Sequence, residues 1–268
     1  MRIVAHVSDL HFGRVDARVA AELVAHLRQL APHVVAISGD LTQRARRHQF
    51  RDARAFLAQL PNPQIVVPGN HDIPLYNVLA RFGYPRDGFS RNITHERHPY
   101  YQDDEIAVIG ADTTRSFTIK DGGLRPLDVQ HLASRLTAAG GARVRIVVCH
   151  HPFDPPRGRI GRLTWPRPAT GAVAELVAKG ADVFLTGHLH TSYTGHTAKR
   201  YRANGRAAIV VEAGTATSTR VRSEPNAFNV LRVERAHIVV ERLTWQPATA
   251  SFATADTQTF TRVPDGWV

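Results

Sequence analysis

Short apolar runs rich in β-branched residues recur along the chain, and each one ends in a cluster of polar residues. Runs of this length and composition predict strands that are buried on both faces. The predicted strands are Ile3–Val7, Val34–Ser38, Gln64–Val67, Ile106–Ile109, Val144–Cys149, Val183–Thr186 and Ala208–Val211. Two later segments, Phe228–Val233 and His237–Leu243, alternate apolar and polar positions around a short turn, which predicts an antiparallel hairpin.

Segments with helical periodicity lie between these strands. Apolar residues recur at spacings of three and four in Ala17–Leu30, Gln43–Leu60, Leu127–Ala139 and Ala169–Lys179. Strands that alternate with helices, together with an antiparallel hairpin, predict an α/β fold with mixed sheets. The Thr- and Ala-rich residues 249–268 have weak periodicity. We therefore expect residues 1–248 to form one catalytic domain and residues 249–268 to form an irregular C-terminal arm.

The composition is that of an ordinary globular protein. The chain has 268 residues, 43% hydrophobic and 21% charged, which excludes collagen-like, coiled-coil and disordered classes. No apolar stretch approaches the roughly 18–20 residues of a membrane span, so we expect no integral membrane association. The first residues lack the apolar core of a signal peptide, and the single cysteine, Cys149, cannot form an intrachain disulfide. The expected location is cytoplasmic, and the oligomeric state is not predicted.

The formal net charge of +11 comes almost entirely from arginine. A guanidinium group binds phosphate oxygens well, so this excess favours anionic ligands and leaves nucleic acid open as a partner. The same excess is typical of solvated surfaces. The fifteen histidines are more informative, because several lie beside Asp, Asn and Gly where predicted strands end.

Five polar clusters directly follow predicted strands. They are Asp9-Leu10-His11, Gly39-Asp40, Gly69-Asn70-His71-Asp72, His150-His151 and Gly187-His188-Leu189-His190. The carboxyl ends of parallel strands open onto a common crevice, and these side chains offer oxygen and nitrogen ligands for metals. Residues i and i+2 of an extended segment face the same side, so Asp9 with His11, and His188 with His190, are predicted to present two ligands to one place. Each cluster alone is a weak signal, but all five together predict a metal site.

This ordered pattern resembles that of the calcineurin-like metallophosphoesterase superfamily, and the resemblance covers most of the chain. It is most similar to the branch of bacterial class III cyclic-nucleotide and glycerophosphodiester phosphodiesterases. The resemblance implies a four-layer α/β/β/α sandwich with mixed sheets. It places a dinuclear metal site at the edge where the strands have their carboxyl ends.

The resemblance also implies a ligand set. It would place Asp9, His11 and His190 on one metal, Asn70, His150 and His188 on the other, and Asp40 between them as a bridge. The expected cofactors are two divalent ions, Mn²⁺ or Fe²⁺, with Zn²⁺ and Co²⁺ as alternatives, since these ligand types suit all four. The implied reaction is attack of a metal-activated hydroxide on a small phosphodiester substrate.

Further residues near these clusters have implied or open roles. The position of His71 is similar to that of a general acid or transition-state hydrogen-bond donor in the family, and Asp72 would either orient it or support the ligands from behind; alternatively, His71 only hydrogen-bonds its loop. His151 is either a substrate contact or a packed loop residue. Arg157 and Arg159, in a basic loop after His151, are candidates for substrate binding.

A dinuclear phosphodiesterase is therefore the leading hypothesis for the function. The alternatives are a pyrophosphate hydrolase of a UDP-diacylglucosamine lipid A precursor, a DNA-processing nuclease, and a non-enzymatic metal-binding interaction module. A lipid enzyme would be favoured by an apolar cap, and the sequence shows no long amphipathic insertion. An interaction module would be expected to lack ligands, whereas every ligand position of the pattern is filled.

Overall fold

Two β-sheets form the centre of the molecule in the computed structural model, which describes residues 1–119, 121–152, 168–197, 206–219 and 224–268. The strands are β1 (Arg2–Val7), β2 (Val34–Ile37), β3 (Gln64–Val66), β4 (Tyr100–Gln102), β5 (Ile106–Ala111), β6 (Val144–Cys149), β7 (Val183–Thr186), β8 (Tyr193–His196), β9 (Ile209–Glu212), β10 (Ala227–Val233), β11 (His237–Gln246), β12 (Ser251–Val263) and β13 (Gly266–Trp267). The helices are α1 (Ala17–Leu30), α2 (Arg47–Leu57), α3 (Val78–Gly83), α4 (Asp87–Asn92), α5 (Pro126–Ala139) and α6 (Pro168–Ala178).

Both sheets are mixed. The first has the strand order β13-β12-β11-β10-β1-β2-β3, in which β1, β2 and β3 are parallel and the rest are antiparallel. The second has the order β4-β5-β6-β7-β9-β8, with a parallel centre and antiparallel edge strands. The parallel strands of each sheet end at polar loops, so the arrangement can gather loop residues from both sheets.

Three apolar layers hold the sheets and helices together. Between the two sheets, buried side chains such as Val4, Ile146 and Leu231 form one core. Helices α1 and α2 cover the outer face of the first sheet, and Leu23 and Phe50 belong to the core on that side. Helices α5 and α6 cover the second sheet through a third core. The predicted four-layer α/β/β/α sandwich is confirmed.

The boundaries of α2 differ from the prediction. The helix begins at Arg47 rather than at Gln43, because the preceding residues form a loop that is stabilised by the side chain of Gln49 in the helix. The buried Gln49 side chain accepts hydrogen bonds from the backbone N–H groups of Arg44 (2.9 Å) and Arg46 (3.4 Å). Ala45 adopts a left-handed conformation with φ of 51°, which cannot belong to a helix.

The periodicity did not predict α3 and α4. Each has six residues, and the apolar side chain of Leu79 in α3 is 86% exposed, so this segment has no buried apolar stripe to detect. The position of α3 is fixed instead by the buried Arg81, which donates hydrogen bonds to Pro74 O (3.0 Å) and Ser116 O (2.7 Å). Among the described residues, no helix combines the length and the apolar character needed to cross a bilayer.

The expectation of an irregular arm at residues 249–268 is wrong. This segment forms β12 and β13 on the edge of the first sheet, and Phe252 and Phe260 are buried. Trp267 is fully buried, and its indole N–H donates to Asp182 Oδ1 at 3.1 Å. The periodicity is weak because much of β12 has intermediate or full exposure, where small polar residues are tolerated.

We predict that Phe260→Ala lowers the free energy of unfolding by about 3–5 kcal/mol, because it removes a buried ring from the core between the sheets. Urea denaturation followed by circular dichroism measures this change. The adjacent Thr259 is exposed, so Thr259→Ala is the matched control and should stay within about 0.5 kcal/mol of the parent. Equal stability of the two variants would show that the segment is not part of the core.

Candidate metal centre

The carboxyl ends of strands from both sheets bring the predicted ligands together at one edge of the sandwich. Asp9 and His11 follow β1, Asp40 follows β2, Asn70 follows β3, His150 follows β6, and His188 and His190 follow β7. The first sheet thus supplies mainly carboxylate and amide oxygens, and the second sheet supplies imidazole nitrogens. The side chains form two adjacent donor clusters.

The first cluster consists of Asp9, His11, Asp40 and His190, all of them buried. Asp9 Oδ1 lies 3.4 Å from the Nε2 atoms of both His11 and His190, and these two nitrogens are 3.4 Å apart. Asp40 Oδ2 lies 3.8 Å from His11 Nε2. One donor atom from each of the four residues lies within 4.8 Å of the others, so the cluster could hold a metal ion.

The second cluster is formed by Asn70, His150 and His188 around the other oxygen of Asp40. Asn70 Oδ1 lies 3.1 Å from His150 Nε2 and 2.9 Å from His188 Nδ1. His150 Nε2 lies 3.4 Å from Asp40 Oδ1. The two carboxylate oxygens of Asp40 therefore face different clusters, an arrangement that would allow this residue to bridge two ions.

The chemistry of these donors fits a pair of divalent cations. Asp9 Oδ1 and Asp40 Oδ2 are buried, and neither has a hydrogen-bond partner among the described residues. Leaving a buried anionic oxygen without a partner is costly, whereas a cation between the donors would satisfy it. The set contains carboxylate, amide and imidazole groups and no thiolate, a combination that suits Mn²⁺, Fe²⁺, Co²⁺ or Zn²⁺.

Electrostatic coupling between Asp40 and His150 dominates the protonation of the cluster. Burial alone would raise the pKa of Asp40, but the charge of His150 and its hydrogen bond hold that pKa well below its usual value. Burial alone would lower the pKa of His150, but the charge and hydrogen bond of Asp40, the charge of Asp9 and the hydrogen bond to Ser38 together raise it to about 9. Burial and the neighbouring His150 lower the pKa of His188 to about 4. Metal binding to these residues requires deprotonated ligands, so it is expected to depend on pH.

Hydroxyl and carbonyl groups behind the donors fix their orientation. Ser8 Oγ donates to Asp9 Oδ2 at 2.7 Å, and Thr215 Oγ1 lies 2.8 Å from His190 Nδ1. His150 Nδ1 lies 2.8 Å from the Ser38 carbonyl, so this nitrogen is the donor and Nε2 is directed at the cluster. These residues were not predicted, because a single Ser or Thr carries no sequence signal for a role behind a metal ligand. Ser8 is the exception, since it lies next to Asp9 in the sequence.

The backbone at the donors is left-handed rather than extended. Positive φ angles of 52–76° occur at Asp9, His11, Asp40, His188 and His190. The backbone at these donors is therefore not extended, so the geometric reason for expecting residues i and i+2 on the same side does not apply. Such conformations cost about 1–3 kcal/mol each at non-glycine residues, so the surrounding hydrogen bonds must hold them. Two of these bonds join the loops of the first sheet, Asp9 N–H to Gly39 O (3.1 Å) and His11 N–H to Asp40 O (2.9 Å).

His71 lies at the boundary of the two clusters. Its backbone N–H donates to Asp40 Oδ1 at 2.8 Å, which helps to fix the bridging carboxylate. Its ring packs edge-on against His11 with a centroid distance of 4.9 Å. Ring atom Nδ1 lies 2.8 Å from the Gln43 carbonyl, so Nδ1–H donates there.

Asp72 accepts hydrogen bonds from the backbone of two loops. Its carboxylate accepts backbone hydrogen bonds from Leu41 (3.1 Å), Thr42 (2.8 Å) and Gly69 (2.9 Å). Burial and the charge of Asp40 raise its pKa to about 6. Since these bonds join the loops after β2 and β3, Asp72 positions those loops. Thr42 Oγ1 lies within hydrogen-bond distance of both the Asp72 carboxylate (2.9 Å) and the His71 carbonyl (3.1 Å), so Asp72 lies directly behind the His71 segment, and its predicted role toward His71 stays a prediction.

His151 lies next to the second cluster. It is 2% exposed, its Nδ1 lies 2.8 Å from Thr113 Oγ1, and its ring packs against those of His150 and His188 at centroid distances of 4.9 and 4.8 Å. One nitrogen of each of the three rings lies within 4.8 Å of the others. Its predicted contact with substrate stays a prediction. The candidates Arg157 and Arg159 lie outside the described residues.

Comparison with known proteins identifies the family. A family model described as calcineurin-like phosphoesterase matches residues 3–192, most of the chain. The chain belongs to the calcineurin-like phosphoesterase family. The family assignment agrees with the sandwich fold and with the two donor clusters at its edge.

The chain is 35% identical over 81 residues to the glycerophosphodiester phosphodiesterase GpdQ of Enterobacter lignolyticus, covering 26% of this chain and 29% of that protein. It is 26% identical over 160 residues to a probable cyclic nucleotide phosphodiesterase of Synechococcus, covering 56% of this chain and 57% of that protein. The matches thus span less than two thirds of either relative. A dimetal phosphatase from Danio rerio has a TM-score of 0.67 at 13% identity, over 98% of this chain and 99% of that structure, which supports the fold.

We predict that Gly69→Ala removes metal binding from this calcineurin-like phosphoesterase. A Cβ atom at Gly69 would lie 2.1 Å from Asp40 Oδ1 and 2.3 Å from Asp40 N, so the bridging carboxylate would have to move. Bound metal, measured by atomic emission after dialysis, should fall from about two ions per chain to fewer than one. Gly83→Ala is the control, because nothing lies within 4 Å of its added Cβ. Full metal content in Gly69→Ala would contradict the bridging role of Asp40.

Proposed function

We propose that this chain is a dinuclear metal-dependent phosphodiesterase. The observation that carries the proposal is the position of the Asp40 carboxylate between the two donor clusters. Its Oδ1 lies 3.4 Å from His150 Nε2, and its Oδ2 lies 3.8 Å from His11 Nε2. Two cations bound in this way lower the pKa of a water molecule and neutralise charge on a phosphoryl group. Manganese or iron are the proposed ions, with zinc and cobalt as alternatives.

The residues of the chain supply orientation and proton transfer. Asp9, His11 and His190 would hold one ion, and Asn70, His150 and His188 would hold the other. The hydrogen bonds of Ser8 and Thr215 fix the first set before any ligand binds. Preorganised ligands avoid reorganisation during the reaction, which is how a rigid site lowers a barrier.

His71 is the proposed proton donor to the leaving oxygen. Its Nδ1–H is committed to the Gln43 carbonyl, so proton transfer would occur at Nε2. Its backbone N–H holds Asp40, and its ring contacts His11, so the donor is tied to both the bridge and the first cluster. A positioned acid of this kind contributes about 10²–10⁴-fold to the rate.

The names of the curated relatives support the choice of a phosphodiester substrate. One is a glycerophosphodiester phosphodiesterase and the other a probable cyclic nucleotide phosphodiesterase. We therefore propose glycerophosphodiesters or cyclic nucleotides as the substrate class.

We predict that metal-stripped protein regains hydrolysis of bis(p-nitrophenyl) phosphate, and regains it more strongly than hydrolysis of p-nitrophenyl phosphate, when Mn²⁺, Fe²⁺, Co²⁺ or Zn²⁺ is added back. Release of p-nitrophenol measures both reactions, and the most active ion identifies the preferred metal. Preference for the monoester would instead indicate a phosphatase. Stoichiometric metal without turnover on either ester would favour a metal-binding interaction module.

We predict that His71→Ala lowers turnover of bis(p-nitrophenyl) phosphate by about 10²–10⁴-fold, because the leaving oxygen loses its proton donor. Metal content should stay at the parent value, since the His71 ring is absent from both donor sets. His48 is an exposed histidine on α2, so His48→Ala is the matched control and should keep the parent rate. Parent-like turnover in His71→Ala would remove the residue from the mechanism.

A further inference from the structure

A polar cavity of about 370 Å³ lies between the loop after β1 and the segment that joins β2 to α2. We name it the arginine pocket, and its lining residues are Gly13, Arg14, Gln43, Arg44, Arg46 and Gln49. Three of the described lining residues are arginines and none is acidic, so the lining carries a strong positive charge. None of the lining residues belongs to the two donor clusters.

The arginine pocket adjoins the candidate metal centre. Gln43 lines the pocket, and its carbonyl accepts the hydrogen bond from the His71 ring at 2.8 Å. That ring packs against His11 in the first donor cluster. On the other side, Arg14 N–H donates to the His11 carbonyl at 2.9 Å. The pocket therefore shares two loops with the candidate metal centre.

The loop that carries the arginines is held in place by buried side chains. Gln49 is 4% exposed and accepts the backbone N–H groups of Arg44 and Arg46. The next contact is Ala45 N–H to Thr42 Oγ1 at 3.0 Å, and Thr42 in turn donates to the Asp72 carboxylate. The backbone of the pocket is therefore fixed relative to the loops of the metal centre. Arg14, Arg44 and Arg46 are exposed, and the Arg44 guanidinium lies over the Tyr76 ring, 5.4 Å from its centroid.

We propose that the arginine pocket binds a second phosphate group, carried on one ester arm of the phosphodiester whose phosphorus reacts at the metal centre. This inference rests on the proposed phosphodiesterase function and narrows its substrate class. Guanidinium groups bind phosphate oxygens through paired hydrogen bonds. A phosphomonoester, with two negative charges and three terminal oxygens, matches three arginines better than a carboxylate does.

Two substrates that differ by one phosphate test the proposal. They are the p-nitrophenyl ester of thymidine 5′-phosphate and the same ester with a 3′-phosphate. We expect kcat/KM of the parent protein to be about 10–100-fold higher for the substrate with the 3′-phosphate, mainly through KM. In Arg44→Ala/Arg46→Ala, this ratio should fall close to one.

The overall positive charge could also favour the more anionic substrate, so the control removes the same charge elsewhere. Arg51 and Arg91 have side chains 73% and 72% exposed and do not line the pocket. The Arg51→Ala/Arg91→Ala variant should keep the parent ratio. Equal losses in the two double variants would attribute the preference to the long-range field and would overturn the proposal.

A binding measurement separates this inference from the proposed function. Isothermal titration should show that thymidine 3′,5′-bisphosphate binds at least about 10-fold more tightly than thymidine 5′-phosphate, and that Arg44→Ala/Arg46→Ala removes the difference. If this result is obtained without hydrolysis of any diester, the pocket stands and the phosphodiesterase function fails. If diesters are hydrolysed but the 3′-phosphate changes neither kcat/KM nor affinity, the function stands and the pocket proposal is wrong.

Discussion

The site depends on positive charge that neutralises two buried carboxylates. Asp9 and Asp40 are 0% and 1% exposed, and each has an oxygen without a hydrogen-bond partner among the described residues. Removing such anions from water costs several kcal/mol apiece unless positive charge lies beside them. His150 meets part of this requirement, because Asp40, Asp9 and the hydrogen bond to Ser38 raise its pKa to about 9 despite its burial. Two divalent cations would meet it fully, which links metal binding to the stability of the loops.

The four-layer sandwich provides the rigidity that these loops need. Asp9, Asp40 and His188 are among the donors with positive φ angles, a conformation that a free loop of ordinary residues would leave. Each follows a strand that is buried in the core of its sheet, and hydrogen bonds such as Asp9 N–H to Gly39 O continue the strand pairing into the loops. The apolar layers therefore hold the polar edge in a strained arrangement that would otherwise relax.

Strong local signals made most of the fold and the donor set predictable. Continuous β-branched runs predict buried strands, and the donors could be found because they directly follow those runs. The prediction of an irregular arm at residues 249–268 was wrong because exposed strand positions tolerate Thr and Ala, which hides the alternation of apolar and polar residues. The partner Thr215 and the contacts of Asp72 with Leu41 and Thr42 could not be predicted, because they join loops that are well separated in sequence.

The loop after Asp40 contacts both the proposed proton donor and the arginine pocket. Within residues 41–49, Gln43 binds the proposed proton donor, Thr42 binds the Asp72 carboxylate, and Gln49 holds the backbone of the arginine pocket. A ligand that draws the arginines inward would act on the same short segment that fixes the His71 ring. Because Gln49 and Thr42 fix the backbone of this segment, binding of a remote phosphate is expected to act mainly on KM, while the same contacts keep the His71 ring in one orientation.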